Sequence, residues 1–377
     1  LGTAWTVLLG GCDRDVSNFM GTSPYARMLG AHDGYPKAVF AVWGANHNFF
    51  NTEWQVSDAP HSCFGNQKPL WNTQAEPLGP IAMDDPNALE GVTGSQTQQS
   101  FAKALMFAFF KANVGKSEDP TLMHTFDSQY ALPRALDQLA PSSREFIRLD
   151  NSVLVARPGK STAGKKQEGA ITLQSLDDKL QSELPLLQQY WDAYARDLGY
   201  DRLEVSLLPD SFARPALVLD APPLQDEQSI DILFDATTNS EAYWTVDATL
   251  SSRTGCYVYP ETSCIPDFST LEVDVALLHE DGSHSSYVRL SDYIKLQNYH
   301  SNYFEMAYSE PIANSGNSYR LSFSYVPLLF TTARFELTDF ALQNPNIKGL
   351  RFKFPAGQAV ALALDEVRLV KRANVAH

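Results

Sequence analysis

The spacing of apolar positions changes character along the chain. Near its start, Trp5-Thr6-Val7-Leu8-Leu9 and Ala38-Val39-Phe40-Ala41-Val42-Trp43 are short, nearly continuous apolar runs, each ended by glycine (Gly10-Gly11 and Gly44). Such runs predict buried strands. Val16 to Leu29, between them, predicts a turn and a helix. Strand, crossover and strand of this length indicate a parallel β-α-β unit. Residues 55–93 are rich in Pro, Asn, Asp and Gly and predict a long loop. Gln96 to Ala112 places Phe101, Leu105, Ala108 and Phe109 on one helical face, with Gly115 as a stop. Pro133 to Leu139 predicts one or two helical turns. Residues 157–169 have one alanine and otherwise no apolar side chain except a proline, which predicts an exposed loop or linker. Leu173 to Leu198 carries helical spacing through Leu176, Leu180, Leu184, Leu187, Tyr190, Trp191 and Tyr194, with a kink or break at Pro185.

After residue 200 the period shortens to two. Leu203–Leu208, Ala216–Leu219, Ile230–Phe234, Tyr243–Val246, Leu271–Leu278, Ser286–Leu290, Tyr319–Val326, Ala333–Leu337, Gly349–Phe354 and Val360–Val370 alternate between turn residues. That pattern predicts an antiparallel sandwich or jelly roll. Three segments result: an α/β portion over 1–140, a linker and helical segment over 141–200, and an all-β sandwich over 201–377.

The chain has 377 residues, 44% of them hydrophobic and 19% charged, enough to bury a sizeable core. Its formal net charge of −15 argues against nucleic acid as a partner, because phosphate binding needs clustered Lys and Arg. No apolar run is long enough to span a membrane as a helix. The opening Leu-Gly-Thr-Ala-Trp has neither an initiator Met nor a signal-peptide pattern, so further residues are expected upstream of Leu1. Cys12, Cys63, Cys256 and Cys264 form no C-x-x-C pair. Cys256 and Cys264 flank a short loop that a disulfide could close, and Cys12 and Cys63 could make a second bridge. The alternative is four free thiols in a cytoplasmic protein. An even count leans towards an oxidising compartment, hence a secreted or periplasmic protein.

The chemistry concentrates after the first two strands. Gly10-Gly11-Cys12-Asp13-Arg14-Asp15-Val16 follows one, and Gly44-Ala45-Asn46-His47-Asn48-Phe49-Phe50 follows the other. In an open parallel sheet, functional groups collect beyond the carboxyl ends of strands. A carboxylate there can accept the imidazole Nδ1 proton and leave Nε2 as a base. Asp13 is the candidate acid, Asp15 the alternative acid, and His47 the candidate base. Asn46, Asn48 and Asn51 could organise the loop through side-chain to backbone hydrogen bonds. A metal would need more ligands than Asp13, Asp15 and His47, so neither metal nor cofactor is expected. His32, His61, His124, His279, His284, His300 and His377 are scattered and receive no role.

The order of acid and then histidine after successive strands resembles the α/β-hydrolases. Gly-x-x-Asp-x-x-Val resembles their acid loop. Residues 44–54, Gly-Ala-Asn-His-Asn-Phe-Phe-Asn-Thr-Glu-Trp, resemble the histidine loop of bacterial secreted lipase- and polyester-hydrolase-like members. The likeness covers roughly residues 1–115. It implies the C-terminal strands and helices of a catalytic domain, with Asp13 and His47 as triad acid and base. The family's nucleophile motif, Gly-x-Ser-x-Gly, occurs nowhere in the sequence. Its nearest imitation, around Ser161, lies in the polar linker, and Ser23 lies where the family has no nucleophile.

The C-terminal half resembles the galactose-binding-like jelly rolls of carbohydrate-binding modules, through Ala361–Leu369 and Thr332–Leu342. That likeness implies a polysaccharide partner, with Tyr257, Tyr259, Tyr299 and Tyr303 as candidate stacking platforms. Two functions are therefore expected in competition. One is a fragment of a serine hydrolase acting on a small-molecule or polymeric carboxylic ester, which supplies the triad acid and histidine, lacks the nucleophilic serine and is expected to be inactive as a serine hydrolase by itself. The other is a non-catalytic carbohydrate- or surface-binding protein that works through the sandwich.

Overall fold

The computed structural model describes residues 3–13, 22–28, 35–50, 70, 96–115, 117–127, 130–138, 142–147, 152–161, 166–179, 204–205, 216–252, 271–294, 304–308, 321–325 and 330–371. The chain divides into two compact units, Leu1–Arg148 and Leu149–His377.

In the first unit, β1 (Trp5–Gly10) leads through α1 (Thr22–Met28) to β2 (Lys37–Val42). β1 and β2 are parallel, with Val7 opposite Val39. α2 (Gln96–Asn113) and the short α3 (Arg134–Asp137) precede β3 (Ser142–Ile147), which pairs with β2 antiparallel. Every residue of β2 is buried. Ala38, Phe40 and Val42 join Phe101, Leu105 and Ala108 of α2 and Phe146 of β3 in one core. The rings of Phe40 and Phe126 meet edge to face at 6.2 Å, a favoured aromatic geometry. Lys37, at the start of β2, is also buried, and its ammonium donates to the carbonyls of Thr3 and Tyr35.

The second unit begins with β4 (Ser152–Ala156), α4 (Pro158–Ser161), β5 (Lys166–Glu168) and β6 (Ile171–Ser175). It continues with β7 (Glu204–Val205), β8 (Leu217–Ala221), β9 (Gln228–Asn239), β10 (Tyr243–Ser252), β11 (Asp274–His279), β12 (Val288–Arg289) and β13 (Phe304–Tyr308). β14 (Leu321–Tyr325), β15 (Thr331–Glu336), β16 (Asn346–Phe354) and β17 (Val360–Lys371) complete it. One sheet has the order β15-β10-β17-β8-β6-β5, with β4 also on β17; a second has the order β12-β11-β16-β9. A small third sheet is β13-β14-β7. Val246, Ala248, Leu250, Leu362 and Leu364 of the first sheet share a core with Ile230, Ile232, Val275, Leu277, Leu350 and Phe352 of the second. Side chains of alternate positions thus interdigitate between two sheets, as a β-sandwich requires.

The expected fold class needs correction. An incomplete α/β-hydrolase sheet is not what forms: the described residues are mostly β-strand with few helices, and the β-sandwich expected after residue 200 is what the second unit builds. The parallel β1–β2 pair is real, but the sheet grows from it by an antiparallel strand, β3. β3 (Ser-Ser-Arg-Glu-Phe-Ile) has no apolar run to announce it. Within the second unit, β4, β5 and β6 are strands of the large sheet, separated in part by α4, where a linker and the start of a helix were expected. Ile171 and Leu173 alternate into the core with period two, and that packing overrides the leucine spacing that continues beyond them.

Candidate functional site

Two loops meet at the carboxyl ends of β1 and β2. Gly44, with φ 84°, makes the turn out of β2 in the left-handed region that glycine tolerates. The loops are laced by backbone hydrogen bonds. Gly11 N–H donates to the Val42 carbonyl at 2.9 Å, and Cys12 N–H donates to that of Ala45 at 2.7 Å. Gly10 is the point of closest approach: a Cβ there would stand 2.7 Å from the Ala45 carbonyl oxygen and 3.1 Å from that of Asn46.

This lacing brings Asp13 and His47 together. Nδ1 of His47 lies 2.8 Å from Oδ2 of Asp13. The carboxylate side chain is 13% exposed and the imidazole 34%. The acid is thus largely withdrawn from water while the ring stays accessible. A carboxylate can only accept, so the bond requires the proton on Nδ1 and leaves the lone pair of neutral His47 on Nε2.

The histidine loop is secured from behind. Asn46 is fully buried, and its Oδ1 accepts from Phe49 N–H at 2.9 Å, closing the short 3₁₀ turn Asn48–Phe50. Gln98, in the first turn of α2, is equally buried. Its Oε1 accepts from Asn46 N–H at 3.1 Å, and its Nε2 donates to the Asn46 carbonyl at 2.5 Å. Sequence reasoning missed Gln98. Its signal was a polar residue at a helix start, with nothing to say which loop it faces.

The other sequence candidates separate. Asp15, the alternative acid, and Asn51 lie outside the described residues, as do Cys63, Cys256 and Cys264. Cys12 is disulfide-bonded. Ser23 lies in α1 and Ser161 in α4. His124 stacks on Tyr130 with ring centroids 3.7 Å apart. His279 and His284 belong to the sandwich, and His32, His61, His300 and His377 lie outside the described residues. Among the described residues, no group of three or more His, Cys, Asp or Glu could hold a metal. Nor, among the described residues, is any helix long and apolar enough to cross a membrane.

In the second unit, the tyrosines expected as sugar platforms (Tyr257, Tyr259, Tyr299 and Tyr303) lie outside the described residues. Two other features stand on the sandwich. Trp244 is 56% exposed at a register shift of β10, between the pairs Tyr243–Lys371 and Thr245–Val370. A bulge of this kind re-aims a side chain. On the four-stranded sheet, Arg351 grips Asp231 through two hydrogen bonds of 2.7 and 2.8 Å, which raises the guanidinium pKa further. Beside it, Lys353 pairs with Asp274 at 3.2 Å and lies 4.5 Å from the Tyr287 ring centroid.

No family model and no curated protein sequence matches the chain. Solved structures similar to it include a β-1,2-glucanase from Parabacteroides distasonis, with 12% identity over 42% of this chain and 19% of that one, and a TM-score of 0.26. The chain therefore spans about a fifth of that glucanase. Another is the family 11 carbohydrate-binding module of a Clostridium thermocellum cellulosomal cellulase, with 7% identity over 59% of this chain and 96% of that one, and a TM-score of 0.25. A third is the catalytic domain of a GH87 α-1,3-glucanase, with 13% identity over 42% and 22% of the two chains and a TM-score of 0.20. At such scores, the chemistry of the site rests on its own geometry.

Proposed function

We propose that Asp13 and His47 form the acid–base half of an acyl-transfer site acting on carboxylic esters. The 2.8 Å contact between His47 Nδ1 and Asp13 Oδ2 carries this reading. With Nδ1–H donated to the carboxylate, His47 Nε2 takes a proton from an attacking hydroxyl and returns it to the departing alkoxide. Asp13 fixes the tautomer and stabilises the imidazolium formed between the two transfers. No serine of this chain is assigned as the nucleophile; in the chain by itself the attacking hydroxyl is that of water, with His47 as its general base. The test is hydrolysis of p-nitrophenyl acetate by the chain and by its His47→Gln variant. Hydrolysis above the buffer rate that the variant loses is expected. Equal rates in the two proteins, or no rate above buffer in either, overturn the proposal.

A second reading concerns the sandwich, and exposed Trp244 favours it. An indole face set out by a bulge can stack on the C–H face of a pyranose. The function would be polysaccharide binding without chemistry. Retardation of the chain in gels containing soluble β-glucan, lost in Trp244→Ala, supports it. Equal mobility with and without glucan removes it.

A further inference from the structure

Gln98 comes from a different part of the fold from Asp13 and His47, and no sequence motif connects it with them. It stands 52 positions from Asn46, the residue immediately before the histidine, and answers both backbone polar groups of that residue. A side-chain amide that accepts from an N–H and donates to the C=O of the same residue imitates a strand partner, so it fixes a peptide's rotation as well as its place. Asn46 then holds Phe49 N–H, which makes the turn after His47 an extension of the same clamp. The imidazole leaves the backbone between these two anchors. Its Nδ1 meets Asp13 only if the His47 Cα–Cβ direction is set, and the clamp acts on the residues on either side of that bond.

We infer that Gln98 is the positioning residue of the Asp13–His47 pair: it orients the histidine loop so that the imidazole presents Nδ1 to the carboxylate. This inference rests on the acid–base reading of that pair. The two hydrogen bonds of Gln98 described above go to the Asn46 backbone, so it acts through the loop. A clamp of this kind acts through preorganisation, since an oriented base reacts without first finding its geometry.

The test reads the histidine directly by nuclear magnetic resonance of the full chain, with nitrogen-15 introduced only at histidine. A proton held on Nδ1 by a carboxylate gives a sharp, strongly downfield signal. The wild-type chain is expected to show it for His47, and Asp13→Asn to lose it. Gln98→Leu, close in shape but without hydrogen-bonding groups, is expected to lose the signal or move it upfield while far-UV circular dichroism stays as in the wild type. Gln98→Glu keeps the acceptor for Asn46 N–H but loses the donor to its carbonyl. It is expected to show the same change, and it serves if Gln98→Leu does not fold. An unchanged His47 signal in a folded Gln98 variant overturns the inference and leaves the pair intact. A wild-type chain with no Asp13-dependent signal overturns the pair and the inference together.

Discussion

His47 Nδ1 and Asp13 Oδ2 stand 2.8 Å apart, joined across the ends of two adjacent parallel strands. The carboxylate is the more buried partner, so its bond to the imidazole is only weakly exchanged with water. Asp13→Asn keeps the shape and reverses the hydrogen-bond demand, which favours the wrong tautomer. Ester hydrolysis dependent on His47 is expected to fall to the buffer rate in this variant, read with p-nitrophenyl esters. Because protonated imidazole is no base, the wild-type rate should also decline on the acid side of the range where imidazoles titrate, about pH 5–8.

Gly10 lies against the Ala45 carbonyl, where an added Cβ meets backbone that cannot swing aside. Gly10→Ala is therefore expected to push the acid and histidine loops apart. It should destabilise the chain by about 1–3 kcal/mol, as overpacking does, and abolish the His47-dependent rate. Urea unfolding and the ester assay check the two effects separately.

Two Arg–Asp pairs in the sandwich differ in burial, and their removal should differ in consequence. Arg334 contacts Asp247 through Nε and a terminal guanidinium nitrogen, with 10% and 8% of the side chains exposed. Asp247→Ala leaves a buried cation without that carboxylate, an expected loss of about 3–5 kcal/mol. Arg351 and Asp231 are 24% and 32% exposed, and Arg351→Ala is expected to lose no more than about 1 kcal/mol. Equal losses in denaturant unfolding would contradict this contrast.

Tyr293 donates its hydroxyl to Asp339 at 2.6 Å, and burial together with that carboxylate pushes its pKa well above the usual phenol value. The unfolded chain releases this proton near pH 10, while the folded chain retains it. The stabilisation is complete below that pH and is lost as pH rises through the raised value. Tyr293→Phe should flatten this part of the alkaline decline in melting temperature. An unchanged slope above pH 10 would sink the assignment.

The sequence disclosed the sandwich more fully than the first unit. Gly349–Phe354 became β16, because a strand with one buried face must alternate, and Val360–Val370 became β17, which is buried along nearly its whole length between other strands. Both parallel strands of the first unit were also visible, since glycines end their apolar runs, although only β2 is buried throughout and β1 is mostly half-buried. β3 was not visible: polar Ser142–Glu145 shows no period, and its place is set by pairing with β2. Leucine spacing beyond Leu173 hid β6 in a similar way. At the site, Asp13 and His47 stood out as polar groups after apolar strands. Gln98 did not, because its role comes from where α2 packs and not from its neighbours in sequence.

The most direct measurement is the tautomer of His47, read from the nitrogen-15 shifts of its ring in the full chain above the pH at which it is charged. The proton is expected on Nδ1 and the lone pair on Nε2, with that preference lost in Asp13→Asn. A His47 ring protonated on Nε2, or one indifferent to Asp13→Asn, would contradict the acid–base pair on which the proposed chemistry stands.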